Sequence, residues 1–175
     1  MISRRSMMVG TALGLAGCTA AAPQYTGPEV TRIQVFKKDR VMQLIHNRTL
    51  LKAYRFDLGF APDGHKFEEG DGRTPEGAYR IDRRNPNSRF HLSLGISYPN
   101  ATDIAAARAR GVSPGGDIFI HGGPRTKTPQ PKRRFWQTAK EKPSDWTAGC
   151  IAVTDREIEE IYAMISTRTP IRILP

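Results

Sequence analysis

The chain has 175 residues, which suits a single domain with a sizeable core and a short N-terminal targeting segment. Its 16 glycines and 13 prolines indicate many turns, as in a loop-rich body built mostly of strands. The formal net charge of +10 favours an anionic partner, and because the sequence contains no nucleic-acid-binding motif, we expect an acidic polymer or a membrane surface and no nucleic acid. The alternative is a basic, solvated surface with no dedicated partner.

The N-terminus has the features of a targeting segment. Two arginines precede an apolar run over residues 7–16 that is too short to span a bilayer, so residues 1–17 are predicted to be a signal peptide. The letters L-A-G-C, ending at Cys18, resemble the lipobox of bacterial lipoproteins, in which lipid on the cysteine holds the protein at a membrane. An ordinary cleaved signal with a soluble product is the alternative. We therefore expect the periplasm or cell envelope, with residues 18–29 as a tether.

Residues 30–175 are predicted to form one domain dominated by strands. Alternating apolar residues and closely spaced turns predict an antiparallel meander at its start. A capping box that begins at Thr154 and apolar residues at helical spacing predict an amphipathic helix packed behind the Cys150 segment. The predicted strands are 30–36, 41–45, 49–59, 78–81, 90–96, 117–121 and 170–174, and a second short helix is predicted after Thr102 and Asp103, ending at Gly111.

A long loop over residues 61–77 ends in T-P-E-G. Pro75 fixes its own backbone and pushes Thr74 toward an extended conformation, so the loop is predicted to be rigid at this end. Such a loop could wall a groove for an extended peptide, or it could be a plain connection. His91, on the polar side of its strand, is a second candidate site residue, with a structural histidine as the alternative.

Two reactive side chains stand beside glycines near the end of the chain. His121 ends a short apolar strand and is followed by Gly122, while Cys150 follows Gly149. A thiol and an imidazole are the minimal pair for cysteine nucleophilic catalysis, because the imidazole accepts the thiol proton and the thiolate attacks. The alternative is a buried cysteine and a hydrogen-bonded structural histidine. No tight cluster of zinc ligands occurs, so we expect no metal and no cofactor.

The segment over residues 124–143 separates this histidine from this cysteine in sequence and is strongly basic. It carries seven lysines and arginines against one glutamate. Its charge could attract the carboxylates of a substrate that binds beneath it, or it could be a solvated face of the protein.

The order of these motifs resembles the L,D-transpeptidase (YkuD-like) catalytic domain. That family carries a T-P-x-G segment, then H-G at a strand end, then [S/T]-x-G-C followed by an apolar residue. Here the corresponding letters are T-P-E-G at 74–77, H-G at 121–122 and T-A-G-C-I at 147–151. The resemblance implies a mainly β (α+β) fold, a single-domain β-sandwich of mixed sheets with a few short helices.

The resemblance also implies a reaction. Cys150 would attack a peptidoglycan tetrapeptide stem, with His121 as base, and pass the acyl group to an amine, so stem peptides are the expected partners of a monomer. Hydrolysis of the same bond stays open, since Ala148 and Ala152 stand where the family often has polar residues, and so does a non-catalytic lipoprotein that binds cell wall. The implied oxyanion or orienting residues are Thr147, Ala148, Gly149 and Gly122, and the implied substrate contacts are Thr74, Pro75, Gly77, His91 and Trp146.

Overall fold

The computed structural model describes residues 25–124 and 144–175. The predictions for residues 1–17 and for Cys18, and nearly all of the basic segment 124–143, therefore lie outside the described residues. Of the predicted tether, only residues 25–29 are described, and Tyr25 packs against the hydrophobic core.

Among the described residues, eight strands and two helices form the domain. Alternation of buried and partly exposed residues along β1, where Ile33 and Val35 are buried, is the pattern of a strand with one face on the core. The same alternation recurs in β8, where Ile171 and Ile173 are buried. The strands are β1 (Arg32–Phe36), β2 (Val41–His46), β3 (Thr49–Arg55), β4 (Gly77–Ser88), β5 (His91–Ile96), β6 (Phe119–His121), β7 (Ile151–Ala152) and β8 (Pro170–Leu174), and the helices are α1 (Ala101–Ala109) and α2 (Asp155–Met164).

The strands make one continuous sheet in the order β3-β2-β1-β8-β4-β5-β6-β7. Two of its pairings are parallel, β1 with β8 and β6 with β7, and the others are antiparallel. The long strand β4 joins the two halves, because it pairs with β8 through residues 77–80 and with β5 from Ile81 onward. The predicted mainly β architecture with mixed strand directions and short helices is confirmed. The separate sheets expected from the sequence are the two halves of one sheet, which share β4.

Both helices begin at capping boxes. In α2 the Thr154 hydroxyl accepts from the Glu157 N–H, and the Glu157 carboxylate accepts from the Thr154 N–H, as the sequence predicts. In α1 the cap is Asn100, two residues before the predicted start, because its side chain accepts from the N–H groups of Thr102 and Asp103. The main contacts of α2 are with β5 and β6, so it lies behind the histidine strand, whereas the sequence suggested packing behind the cysteine segment.

Two strands differ from their predicted lengths by more than two residues. β4 runs to Ser88, well beyond Ile81, since its polar second half still pairs with β5 through two bulges although it has no apolar alternation. β3 ends at Arg55, and the following residues leave it to pair with the other edge of the sheet. Among residues 25–124 and 144–175, no helix has both the length and the apolar character needed to cross a membrane.

Candidate active site

The sheet brings the strand that ends at the histidine next to the strand that follows the cysteine. β6 and β7 are parallel, with Ile120 opposite Ile151 and His121 opposite Ala152, and Cys150 stands directly before β7. Because side chains alternate along a strand, Cys150, Ala152 and His121 face the same side of the sheet. A spacing of about 4.8 Å between strands and a rise of about 3.3 Å per residue place the Cα atoms of Cys150 and His121 about 8 Å apart. Their side chains are long enough to meet across that distance.

The surroundings of the His121 ring define which nitrogen can act as a base. The ring is buried, and its Nδ1 lies 2.7 Å from the backbone oxygen of Gly122. A carbonyl oxygen only accepts hydrogen bonds, so Nδ1 carries the proton and Nε2 is the nitrogen that can take one. The ring is held by Phe90, whose ring centroid lies 4.5 Å away, and by Trp146 at 5.8 Å.

The thiol of Cys150 is half-buried and protonated at rest. Its Sγ donates to the backbone oxygen of Asp117 at 3.5 Å. Burial raises the pKa of the thiol, and the nearby Asp117 carboxylate acts in the same direction. A backbone hydrogen bond at Phe119 and the positive charge of Lys66 lower the pKa and only partly offset these effects. The proton must therefore leave for a base before the sulfur can attack.

Alkylation of Cys150 by iodoacetamide should consequently depend steeply on pH. Only the thiolate reacts, so below the thiol pKa the rate should rise about tenfold per pH unit. The rise should continue beyond the ordinary thiol pKa of about 8.5, because burial raises the pKa in the folded protein. The measurement is the second-order rate constant from pH 6 to pH 10. A rate that is level from pH 6 upward would indicate a preformed thiolate–imidazolium pair and contradict this prediction.

The segment that carries Cys150 is anchored on its other side by residues 57–60. Asp57 and Ala152 exchange backbone hydrogen bonds of 2.9 Å in both directions. The Thr147 N–H donates to the Leu58 oxygen at 3.0 Å, and the Thr147 oxygen accepts from the Phe60 N–H at 2.9 Å. The start of β7 is thus fixed between β6 and residues 57–60.

A bidentate ion pair fixes the beginning of the same segment. Arg40, in the turn between β1 and β2, donates to Asp145 through Nη2 at 2.6 Å and through Nε at 3.2 Å. The Asp145 carboxylate also accepts from the Leu58 N–H at 2.9 Å. The turn between β1 and β2 therefore supports the cysteine segment, a role that its sequence does not reveal.

Thr147 organises the backbone around the nucleophile. Its hydroxyl donates to the Cys150 oxygen at 2.8 Å and accepts from the Gly149 N–H at 3.2 Å. Gly149 has a φ of +126°, a backbone conformation that side-chain-bearing residues rarely adopt. The predicted orienting role of Thr147 thus has a geometric basis. The oxyanion role of the N–H groups from Ala148 to Cys150 stays a prediction, and one of them, that of Gly149, already donates to Thr147.

Replacing Thr147 by valine should therefore damage both stability and catalysis. Thr147→Val leaves the Cys150 oxygen and the Gly149 N–H without the hydroxyl, so the free energy of unfolding should fall by about 1–3 kcal/mol. Turnover should fall about tenfold, because the cysteine segment loses its internal bonds. Urea denaturation and initial rates measure the two effects. Thr147→Ser keeps the hydroxyl and is the matched control; equal losses in both variants would show that the hydroxyl is not responsible.

The loop that ends at T-P-E-G supports the cysteine segment from inside the protein. Thr74 is fully buried, and its hydroxyl donates to the Gly149 oxygen at 2.8 Å. The ammonium group of Lys37, also buried, donates to the Thr74 oxygen at 3.1 Å, to the Glu76 carboxylate at 2.8 Å and to the Gly64 oxygen. The structure therefore connects Lys37 through Thr74 to Gly149. Direct contact of Thr74 with substrate stays a prediction.

A second buried lysine lies in the same loop and contributes positive charge near the sulfur. Lys66 donates to the Asp71 carboxylate at 2.9 Å and to the Glu68 oxygen at 2.8 Å. Burial disfavours the charge on Asp71, but the hydrogen bonds from Lys66 and from three backbone N–H groups outweigh it and lower the pKa of Asp71. No sequence motif singles out this lysine within the loop over residues 61–77.

The remaining predicted substrate contacts lie at different places. Pro75 is buried, and Gly77 lines a pocket of about 290 Å³ beside α1. His91 pairs through Nε2 with Glu159 at 2.7 Å, beside Gly122. Trp146 lies against the His121 ring, as stated above. Within the described residues, no group of three histidine, cysteine, aspartate or glutamate side chains is placed to hold a metal ion.

Solved structures share this fold. The cell shape determining protein Pgp2 of Campylobacter jejuni superposes with a TM-score of 0.59 at 22% identity, over 85% of this chain and 49% of that one. Bd1075 of Bdellovibrio bacteriovorus gives 0.54 at 23% identity, over 83% and 48%. The L,D-transpeptidase of Enterococcus faecium, as its C442S mutant, gives 0.50 at 15% identity, over 84% and 50%. At these identities the likeness establishes the fold alone.

Sequence comparison gives the family. YafK of Escherichia coli strain K12, named as a candidate L,D-transpeptidase, is 29% identical over 140 residues, which are 77% of this chain and 46% of that protein. The chain thus spans about half the length of the curated relative it matches. The family model of the L,D-transpeptidase catalytic domain, YkuD, matches residues 30–173, which include His121, Cys150 and all eight strands except the last residue of β8. The chain therefore belongs to the L,D-transpeptidase catalytic domain family.

Proposed function

We propose that this protein is a cysteine-dependent L,D-transpeptidase, which forms an acyl-thioester on Cys150 with a peptidoglycan tetrapeptide stem and passes it to an amine. The observation that supports the proposal is the pairing of β6 with β7, whose register brings the Cα atoms of Cys150 and His121 to about 8 Å from each other. Nε2 of His121 is the nitrogen that can accept the thiol proton. The family acts on peptidoglycan stem peptides, and their carboxylates complement the net charge of +10.

The first half of the reaction forms the thioester. Nε2 of His121 takes the thiol proton, and the sulfur of Cys150 attacks the carbonyl carbon of the third stem residue. The carbonyl oxygen becomes an oxyanion, for which the N–H groups around Ala148 and Cys150 are the proposed donors, each typically contributing a few kcal/mol. The bond to the terminal D-alanine then breaks. Its nitrogen takes the proton from the His121 imidazolium and leaves as a neutral amine.

The second half repeats these steps in reverse with a new nucleophile. An amine of a second stem attacks the thioester carbon while Nε2 of His121 accepts its proton. The carbon–sulfur bond breaks, the sulfur recovers the proton, and a crosslink has replaced the thioester. Burial raises the pKa of the thiol, so the sulfur recovers its proton readily when the cycle ends.

Hydrolysis is the second candidate outcome. Ala148 and Ala152 flank the nucleophile with methyl groups, so the cysteine segment offers no polar side chain at these positions to hold a second stem. Water would then attack the thioester in place of the amine. The same cysteine and histidine serve both outcomes. Transfer and hydrolysis differ only in whether an amine or water attacks the thioester.

Incubation of the purified protein with disaccharide tetrapeptide, followed by mass analysis of the products, tests the proposal. Crosslinked dimers that appear with release of D-alanine are the expected result. Disaccharide tripeptide without dimers would replace transfer by hydrolysis. Unchanged tetrapeptide, with the fold intact, would favour a non-catalytic protein that binds cell wall.

The proposed setting is the cell envelope. The basic and apolar start of the chain and the L-A-G-C letters support removal of residues 1–17 and lipid attachment at Cys18, with the catalytic domain, as a monomer, reaching the wall from a membrane anchor. There it would take part in cell-wall remodelling and cell shape. Labelling of cells with radioactive palmitate tests the anchor: label should enter the protein and be lost in Cys18→Ala.

A further inference from the structure

The peptide bond between Gly122 and Gly123 is hydrogen-bonded at both of its ends. Its carbonyl oxygen, on Gly122, faces Nδ1 of His121 at 2.7 Å. Its N–H, on Gly123, donates to the Oδ1 atom of Asp155 at 2.7 Å. One planar amide thus stands between the imidazole and a carboxylate at the first residue of α2.

We propose that Asp155 is a positioning residue that raises the basicity of His121 through this amide. A carboxylate that accepts from an N–H polarises the amide, because its resonance moves negative charge onto the carbonyl oxygen. That oxygen then accepts more strongly from Nδ1–H, and a hydrogen bond to Nδ1–H stabilises the imidazolium. The arrangement has the logic of a histidine–carboxylate pair in which a peptide replaces direct contact.

The glycine that follows His121 makes this arrangement possible. A Cβ atom on Gly122 would lie 2.6 Å from Oδ1 of Asp155 and 2.9 Å from Ile158, which is too close for either contact. The Gly122 N–H is held as well, since it donates to the oxygens of Phe90 at 3.1 Å and Leu92 at 3.3 Å. The amide is therefore fixed in the orientation in which it connects the two side chains.

Other charged groups near this amide have partners of their own. His91 on β5 pairs with Glu159 of α2 at 2.7 Å, and Glu157 accepts from the N–H and hydroxyl of Thr154. The thiol of Cys150, on the β7 side, donates to the Asp117 oxygen. Among these carboxylates, Asp155 is the one that accepts from the Gly122–Gly123 amide.

The test compares two variants that each remove one negative charge from α2. Asp155→Asn keeps an oxygen that can accept from Gly123, and Glu159→Gln lies one turn further along the same helix. The measurement is the pKa of the His121 imidazole, followed by NMR through its ring carbon-bound protons in the full protein. Asp155→Asn should lower that pKa by about half a unit, since a charged acceptor forms a bond about twice as strong as a neutral one. Glu159→Gln should leave it unchanged.

This role rests on the proposed function of His121 as base. The first readout, the pKa of His121 by NMR, therefore does not require turnover, and the pH profile of the reaction is a second readout. The acid limb of the pH profile of kcat/KM should move to lower pH by the same half unit in Asp155→Asn, with a fall of about threefold in the rate at its plateau. If Asp155 is merely structural, Asp155→Asn would lower stability but change neither the pKa of His121 nor the position of the acid limb. That result would overturn the proposal. An equal shift in Glu159→Gln would also overturn it, because the effect would then be one of general charge. Absence of any turnover in the wild type would count against the proposed function alone.

Discussion

Cys150→Ala is expected to abolish both release of D-alanine and formation of crosslinked dimers, with a loss of at least about 10³-fold in rate. No other thiol is present among the described residues, since Cys150 is their one cysteine. The His121 ring should keep its position, because the Gly122 oxygen and the rings of Phe90 and Trp146 hold it. The variant should therefore fold normally and bind stem peptides while losing chemistry.

The control for this variant is its stability. Cys150→Ala removes one half-buried sulfur, so the free energy of unfolding should change by no more than about 1 kcal/mol. A urea midpoint close to that of the wild type, together with lost turnover, assigns the loss to the nucleophile. Retained turnover in the folded variant would show that the reaction does not pass through this thiol.

Lys37→Met is expected to lower the free energy of unfolding by about 3 kcal/mol, although Lys37 lies far from the cysteine in sequence. Its ammonium group is buried and donates three hydrogen bonds, to Gly64, Thr74 and Glu76. Burial lowers the pKa of Lys37, which the ion pair with Glu76 opposes. Methionine fills the same space but leaves the buried Thr74 carbonyl, the Gly64 carbonyl and the Glu76 carboxylate without this donor.

The same variant should also slow catalysis. Thr74 is held through its backbone by Lys37 and donates its hydroxyl to Gly149, so a loosened loop displaces the residue next to the nucleophile. Chemical denaturation and initial rates measure both effects. Lys38→Met is the matched control, because Lys38 stands in the same turn with an exposed side chain. Similar losses in the two variants would contradict the role assigned to the buried lysine.

The sequence predicts candidate site residues and α2 because those signals are local. H-G at a strand end and T-A-G-C before an apolar residue mark His121 and Cys150 as candidates, and the capping box at Thr154 correctly predicts α2. The strand meander at the start was also predicted, since each hairpin is short and its turn lies within a few residues.

What the sequence did not predict depends on contacts between distant segments. The polar half of β4 is a strand only because β5 pairs with it. Lys37 and Arg40 lie between two predicted strands, where no local pattern suggests a partner. The fold buries Lys37 beside Thr74 and pairs Arg40 with Asp145. The sequence placed Asp155 only within the capping box at the start of a predicted helix. In each case the role comes from a partner more than thirty residues away or from pairing that no local pattern encodes.

The most direct test is the mass of the protein itself during turnover. Wild-type protein is mixed with disaccharide tetrapeptide, and samples of the reaction are stopped with acid at intervals from the first turnover onward. The mass of the intact protein is measured by mass spectrometry before peptide mapping. A transient gain equal to the disaccharide tripeptide acyl group, mapped to Cys150 and labile to hydroxylamine, is the predicted result. Products that accumulate with no adduct at any time, or an adduct that maps to another residue, would contradict a thioester at this cysteine.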